Sequence, residues 1–415
     1  MRPARLAAFA LLCTVSAAAQ KPFYLKDGDR VVFYGDSITD QRLYTTFAES
    51  FVVTRFPGMS VTFTHSGWGG DRVTGGGGGP IDVRLARDVF PYQPTVMTIM
   101  LGMNDGNYKP FDDATFKTYT SGFEHILDAM KQEYPNCRIT LIQPSPYDDV
   151  TREPAFPGGY NAVLLRFSDY LRGIAQARRL DLADLNTPVN AMLRKAKEAD
   201  AAQAAKILPD RVHPAPAGHI IMAEGLLEAW NAPSMVSEVA IDAAAGTASP
   251  KNAKVEGLKK GSALAWTESE SALPVPLDPK DALLQFALKS SGFVDALDRE
   301  MLRVSGLSGA GYELKIDGAS IGTFSKDDLA KGINLATLDT PMLRQALEVH
   351  ALTLRHNNIH FTRWRTIQTG LPADGSPATK REVMNALDKL EGEIVAEQRA
   401  AAQPRQHRYE LNPVP

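Results

Sequence analysis

Four short stretches of this sequence hold residues that could do chemistry together. The first is Val31-Val32-Phe33-Tyr34-Gly35-Asp36-Ser37-Ile38-Thr39-Asp40, where a serine follows an apolar run that stops at a glycine. A helix beginning just after a sharp turn at Gly35 leaves free backbone N–H groups beside the Ser37 hydroxyl, ready to accept negative charge. The second is His65-Ser66-Gly67-Trp68-Gly69-Gly70-Asp71-Arg72, whose glycines permit a tight turn and bring an N–H close to a ligand. In the third, Leu101-Gly102-Met103-Asn104-Asp105-Gly106, Asn104 can direct its side-chain amide toward a developing oxyanion. The fourth is Asp210-Arg211-Val212-His213-Pro214. An Asp and a His three residues apart on a turn can lie side by side. His213 can then take the Ser37 proton while Asp210 fixes the imidazole tautomer and stabilises the imidazolium. Taken singly, each stretch also reads as an ordinary turn, since Asp and Ser are common cap residues and a His before Pro is commonly structural.

These residues need a scaffold that gathers them. From about residue 29 to 230, strand-like and helix-like segments alternate. Candidate strands span 30–34, 60–64, 96–101, 138–142 and 180–185, and helical periodicity runs over 116–133, 161–178 and 215–230. Alternation of this kind calls for a parallel sheet with helices on both faces, and the near-continuous apolar strands fit that burial. The expected fold class is α/β, a three-layer α/β/α flavodoxin-like domain. Its strand ends carry Ser37, Gly70, Asn104 and the Asp210/His213 pair, on the edge where open α/β sheets hold ligands.

The order Gly35-Asp36-Ser37, Gly70-Asp71, Gly102-Met103-Asn104-Asp105 and Asp210-x-x-His213-Pro214 closely resembles the blocks of the SGNH subgroup of the GDSL hydrolases. The resemblance covers about half the chain. It implies Ser37 as nucleophile, with its own N–H, the Gly70 N–H and the Asn104 side chain as oxyanion donors. It further implies His213 as base and Asp210 as its orienter. His65 departs from the pattern, since many members carry Asn before the block-two glycine. The G-x-S-x-G motif is absent around Ser37, which disfavours the larger α/β-hydrolase fold. No cofactor motif or metal constellation is read, because His65, His125, His213 and His219 lack close i, i+4 pairs or Cys partners.

Two insertions lie on the same edge. The run Gly75–Gly79 reads as a flexible loop or as a lid at the site. The stretch 145–161 carries Tyr147 and Tyr160, which either pin the loop or offer a stacking and hydrogen-bonding surface to a sugar.

Residues 1–19 read as a secretory signal peptide. Arg2 and Arg5 precede an apolar run from Leu6 to Val15, and Ala17-Ala18-Ala19 forms a small-residue cleavage site, so the mature chain begins near Gln20. Leu12 before Cys13 argues against a lipid-anchored start, and no stretch is long and apolar enough to span a bilayer. The expected location is therefore outside the cytoplasm, periplasmic or extracellular. With Cys13 gone, Cys137 has no intramolecular partner and reads as a small core residue. Net charge is −3, or −5 once Arg2 and Arg5 leave, a balance that argues against nucleic acid or an anionic membrane as partner.

Length and a hydrophobic content of 44% suggest two units, with the hydrolase-like region at 20–234 and a smaller α+β region at 235–415. In the second, Ala243–Pro250 reads as a small, polar link. Asp317-Gly318 between two alternating runs predicts a hairpin. Helical patterns follow at 341–357 and 380–402. The latter carries an apolar stripe of Val383, Leu387, Leu390 and Ile394 that should be buried against the first unit. His350, His356, His360, Trp364 and Arg365 crowd one segment. His356 and His360 would share a face of a continuous helix and permit metal binding, but Asn357-Asn358 suggests that the helix ends between them. The reading as a whole is an exported serine esterase acting on a small-molecule or polysaccharide ester, foremost an acetylated carbohydrate. Its alternatives are a lipid ester or thioester hydrolase, and a carbohydrate-binding protein that keeps this fold without turnover.

Overall fold

The computed structural model describes residues 21–261, 263–371 and 376–414; the expected leader lies outside the described residues. Strands β1 (Arg30–Gly35), β2 (Thr62–Gly67), β3 (Val96–Met100), β4 (Arg138–Ile142) and β5 (Asp181–Ala183) form one parallel sheet in the order β2-β1-β3-β4-β5. All five residues of β3 are buried, as a central strand covered on both faces requires. The covering helices are α1 (Leu43–Arg55), α2 (Ile81–Asp88), α3 (Asp113–Glu133), α4 (Gly159–Arg178), α5 (Asn186–Ala199) and α6 (Pro216–Ala229). The order in which strands are added reverses beside β1, so right-handed crossovers put α1 and α6 on one face and α3 and α4 on the other. This is the α/β/α layering expected, and the reversal in strand order opens the crevice next to the end of β1.

Register brings the site loops together. Gly35 pairs with Gly67 on one side and Met100 on the other, so three strands end level. Gly35 needs no left-handed backbone. It is there for space, because a Cβ would sit 2.3 Å from Thr39 Oγ1 and 2.7 Å from the Met100 carbonyl.

Beyond residue 234 the chain adds two more sheets. Strands β6 (Met235–Asp242), β7 (Thr247–Lys251), β8 (Ala253–Lys259), β9 (Leu264–Glu270), β10 (Arg299–Ser305), β11 (Gly311–Ile316), β12 (Ala319–Ser325), β13 (Ile333–Asn334) and β14 (Gln406–Val414) arrange as β13-β10-β6-β7 and β8-β9-β14-β11-β12. Alternate residues of β9 and β11 point into a second core with Val239, Leu302, Tyr409 and Leu411. The predicted hairpin turns at Asp317 and Gly318, both at positive φ as a two-residue type I′ turn demands. Ala243–Pro250, read as a link, is instead a hairpin tip and its return strand. Thr247 pairs with Asp242, and β7 is an exposed edge whose small residues carry no alternation to read. The first core also takes in Val275, Leu284, Phe293 and Leu297 from this part of the chain.

Helix α7 (Pro341–Phe361) runs on through a π-helical turn (Thr362–Gln368), and α8 (Pro377–Ala401) packs against it. Asn357-Asn358 does not end α7. The Asn357 side chain is buried and donates to Thr46 Oγ1 at 3.0 Å, so it does not compete for its own backbone. Nor is the α8 stripe buried as a whole. Val383 and Leu390 remain 41% and 37% exposed, and only Ile394 reaches the interior. What docks these helices on α1 is polar. Glu49 of α1 accepts from His65 Nε2 at 3.2 Å, His356 Nε2 at 2.5 Å and Gln398 Nε2 at 3.2 Å. Thus His356 and His360 do share a face, and it looks onto Glu49 and Glu391.

Burial works against a charged His356, but Glu49 and Glu391 outweigh it and lift the imidazole from 6.5 to about 10. Burial likewise opposes a charged Glu49, yet the His356 cation holds its carboxyl well below the usual range. Burial pushes His65 down, so it donates as a neutral ring. Because folded His356 binds its proton more tightly than the unfolded chain does, its stabilisation is complete below pH 6.5 and is lost as pH rises through about 10. Glu49 supplies the other limb, present above 4.5 and lost in strong acid. His356→Gln should therefore lower Tm most near pH 6 and flatten its decline toward pH 10. Thermal unfolding across that range at fixed salt checks this, and parallel wild-type and variant curves would refute it.

Candidate active site

Ser37 opens a one-turn helix at the end of β1. Asp36 caps it, accepting the Ile38 N–H at 3.0 Å, so the fixed N-terminus presents Ser37 with its own N–H outside any helical bond. Asp36 is buried, and burial, with Asp105 and Asp71 nearby, pushes its carboxyl up to about 7. From the far end of the chain segment, the turn before α6 brings His213 Nε2 to 2.8 Å from Ser37 Oγ. Asp210 Oδ2 lies 2.7 Å from His213 Nδ1, while its Oδ1 accepts the backbone N–H groups of Val212 and His213 at 2.9 and 2.7 Å. Burial opposes the Asp210 charge, but these bonds win and hold its carboxyl below the usual value. A serine, an imidazole and a carboxylate in series can move a proton off the hydroxyl as it attacks an electrophile.

Two loops face this relay. After β2, residues Trp68–Asp71 make a turn closed by Asp71 N–H to the Trp68 carbonyl at 3.1 Å. Gly70 takes its third position with φ +77°, which a side chain would strain, and leaves its N–H unused by the turn. A Cβ on the preceding Gly69 would lie 3.9 Å from Ser37 Cβ, so the turn touches Ser37. After β3, Asn104 gives one amide hydrogen to the Asp71 carbonyl at 3.0 Å, and a carboxamide has two. Tyr108 donates its hydroxyl to Asn104 Oδ1 at 3.0 Å, fixing which way the amide points. Tyr108 is 41% exposed beside it.

The remaining sequence-derived candidates fall differently. Tyr160 is not at the surface. It lies in the first turn of α4, is 1% exposed and gives its hydroxyl to the Met103 carbonyl at 2.6 Å, bracing the Asn104 loop from below. Tyr147 is half-buried, its ring perpendicular to Tyr160 at 5.2 Å and tilted on Tyr108 at 6.1 Å. The glycine run is no lid. Gly75-Gly76 pairs with Gly79-Pro80 in a small hairpin behind the Gly70 turn, where a Cβ at Gly76 would meet the Gly70 carbonyl at 2.8 Å. His219, set aside as structural, is buried against Tyr44 and Gln41. Sequence reading missed Tyr108 and Asp40. Asp40 Oδ2 accepts the Gly69 N–H at 3.1 Å. Both sit within the quoted loops or three to four residues from their key side chain, and that nearness was the only available signal.

Comparison with known proteins adds a family. Residues 33–221 match the model of the GDSL-like lipase/acylhydrolase family. No curated protein matches the sequence. Among solved structures, a gut microbial diltiazem-metabolizing enzyme is 26% identical, with a TM-score of 0.81 over 95% of this chain and 100% of its own. An acetylxylan esterase from Geobacillus stearothermophilus is 20% identical, with a TM-score of 0.41 over 50% of this chain and 96% of its own. The family match begins inside β1 and ends inside α6, so it takes in each loop that surrounds Ser37. Residues 33–221 thus form a GDSL-like lipase/acylhydrolase domain with the SGNH hydrolase fold, and the protein is a carboxylic ester hydrolase.

Proposed function

We propose that this protein is an exported serine esterase that removes a small acyl group, foremost acetate, from an O-acylated carbohydrate. The observation that carries the reading is the continuous Ser37–His213–Asp210 hydrogen-bonded series at an open sheet edge, where the His213 and Asp210 side chains keep 36% and 55% of their exposure. Ser37 Oγ attacks the ester carbonyl carbon while its proton passes to His213 Nε2. The carbonyl oxygen becomes an oxyanion held by the N–H groups of Ser37 and Gly70 and by the free amide hydrogen of Asn104. Collapse breaks the bond to the alcohol oxygen, which leaves with the His213 proton and yields an acyl-enzyme. Water then repeats the sequence, giving a proton to His213, which passes it to Ser37 Oγ as the bond to the acyl carbon breaks and the carboxylic acid is released. Asp210 stays ionised throughout and stabilises the imidazolium.

The surroundings favour a short acyl group on a hydroxyl-rich alcohol. Asp40, Gly69, Asn104, Tyr108 and His213 ring the nucleophile with polar groups and one exposed aromatic face, whereas a long acyl chain calls for an apolar trough. The leader read at residues 1–19 supports export, toward the compartment where polymeric glycans are met.

Ser37→Ala should abolish hydrolysis of p-nitrophenyl acetate and labelling by a fluorophosphonate while the circular dichroism spectrum stays native; retained labelling would remove Ser37 from the mechanism. Asn104→Ala should lower kcat by about 10²–10³. Tyr108→Phe, which loses only the bond that aims the Asn104 amide, should lower kcat by about 5- to 10-fold with KM little changed. Steady-state kinetics of the two variants would refute the assignment if either matched wild type. For substrate, acetate release from acetylated oligosaccharides should exceed turnover of p-nitrophenyl palmitate and of diltiazem. Preference for the long acyl ester would overturn the carbohydrate reading and leave the serine mechanism standing.

A further inference from the structure

We propose that Arg365, carried by the C-terminal part of the chain, is a positioning residue that sets the oxyanion-binding turn of the hydrolase site. The proposal rests on the reading of the Gly70 N–H as an oxyanion donor. That donor lies in a turn with glycine at both central positions, Gly69 and Gly70, the most permissive backbone a turn can have. Something outside the turn must therefore hold it to the few tenths of an ångström that such a donor needs.

Besides the bonds that Asp71 makes to Arg84 and Asn104, three contacts act on Trp68 and Gly69, and two of them run through Arg365. The Trp68 N–H is anchored to the Gly35 carbonyl at 2.9 Å, which ties the turn to the end of β1. Asp40 Oδ2 accepts the Gly69 N–H at 3.1 Å, and that same oxygen lies 3.6 Å from Arg365 Nη2. The Arg365 guanidinium also covers the Trp68 ring, with Cζ 3.4 Å from the ring centroid. One planar cation thus grips the side chain of the turn's first residue and the carboxylate that holds its second. Lysine could supply the charge but not the plane.

The support under Arg365 is rigid. It sits on the π-helical turn that continues α7, and the preceding residue, Trp364, is buried edge-on to Trp68 at 5.5 Å with Nε1 donating to Asp88 Oδ1 at 2.6 Å. On the other side Arg42 stacks on Phe361 at 4.4 Å and donates to the Asn357 carbonyl at 3.2 Å, fixing the end of α7 to the loop after Ser37. Arg365 makes no contact with Ser37 or His213 among the described residues, so it acts through the turn and not on the reacting atoms. Accordingly its removal should show in kcat, where interactions made only in the transition state appear, and leave KM nearly unchanged.

The test uses the full chain, with kcat expressed per site titrated by a fluorophosphonate. On p-nitrophenyl acetate, Arg365→Ala should lose about 10- to 100-fold in kcat with KM within about threefold of wild type, the size expected when a donor is misplaced rather than removed. Phosphonylation of Ser37 should slow in parallel, because it draws on the same donors. Arg365→Lys should fall between, at a loss of about threefold or more, with Tm near wild type. A folded Arg365→Ala or Arg365→Lys with wild-type kcat overturns the proposal. Should Arg365→Ala fail to fold, Arg365→Lys alone decides by the same criterion. Failure of wild type itself to react with fluorophosphonate would instead strike the serine-esterase reading; a reactive wild type with an indifferent Arg365 removes only the role of Arg365.

Discussion

A guanidinium sealed from water underlies the functional edge of this molecule. Arg84, on α2, is fully buried together with Asp71 and Asp88. Dehydrating such ions costs several kcal/mol each unless partners fill every donor and acceptor. Each Arg84 nitrogen finds a partner, Nε on Asp71 at 2.6 Å, Nη1 on Asp88 and Nη2 on the Ser66 carbonyl at 2.7 Å. Its flat faces are covered by Tyr34, Trp68 and Trp364, at 5.0, 5.2 and 5.7 Å. The consequence is geometric. Asp71 ends the Gly70 turn and its carbonyl holds Asn104, while Asp88 holds Trp364 of the C-terminal helices. The two loops that face Ser37 and the part of the chain that braces them are thus referred to one buried ion.

The sheet and the serine relay were legible because local and global signals coincide there. Each block follows a short run of buried, β-rich residues, and parallel strands covered on both faces leave little choice about where their ends lie. The site's supports were harder to see. Tyr160 looked like a loop aromatic because the residue before α4, Gly158, carries no capping side chain; Asp149, farther back in the loop, accepts the Asn161 N–H at 2.9 Å instead, and the ring turns inward. The glycine run looked flexible on composition alone, whereas backbone at Gly75 and Gly76, and the side chains of Trp68 and Arg84 at Gly78, leave no room for a Cβ. Arg365 was noticed in a crowd of histidines, but nothing in the sequence pairs it with Trp68 or Asp40, almost the whole chain away.

The C-terminal part shows a different limit. Asp317-Gly318 announces its hairpin through backbone chemistry that is local. The docking of α7 and α8 does not, because it is built from Glu49, His356, Asn357 and Gln398, residues that sequence patterns assign to solvent. An apolar stripe on α8 was the visible feature, and half of it stays exposed. Such polar groups are buried only by being matched across the two surfaces, and the matching is invisible until both sides are in place.

Strand β14 lies in the middle of its sheet, not at an edge. Leu411 pairs with Leu264 on one side and with Leu314 on the other, across long stretches of intervening chain. Before that segment arrives, β9 and β11 each offer an unsatisfied ladder of backbone N–H and C=O groups, the feature that invites pairing with other chains. Closing so large a loop is slow, since its entropy must be spent before the ladder forms. Until β14 inserts, therefore, two open ladders are exposed to pairing with other chains. The same insertion then locks β9 and β11 by two ladders at once, which makes reopening a cooperative event and not the fraying of an edge.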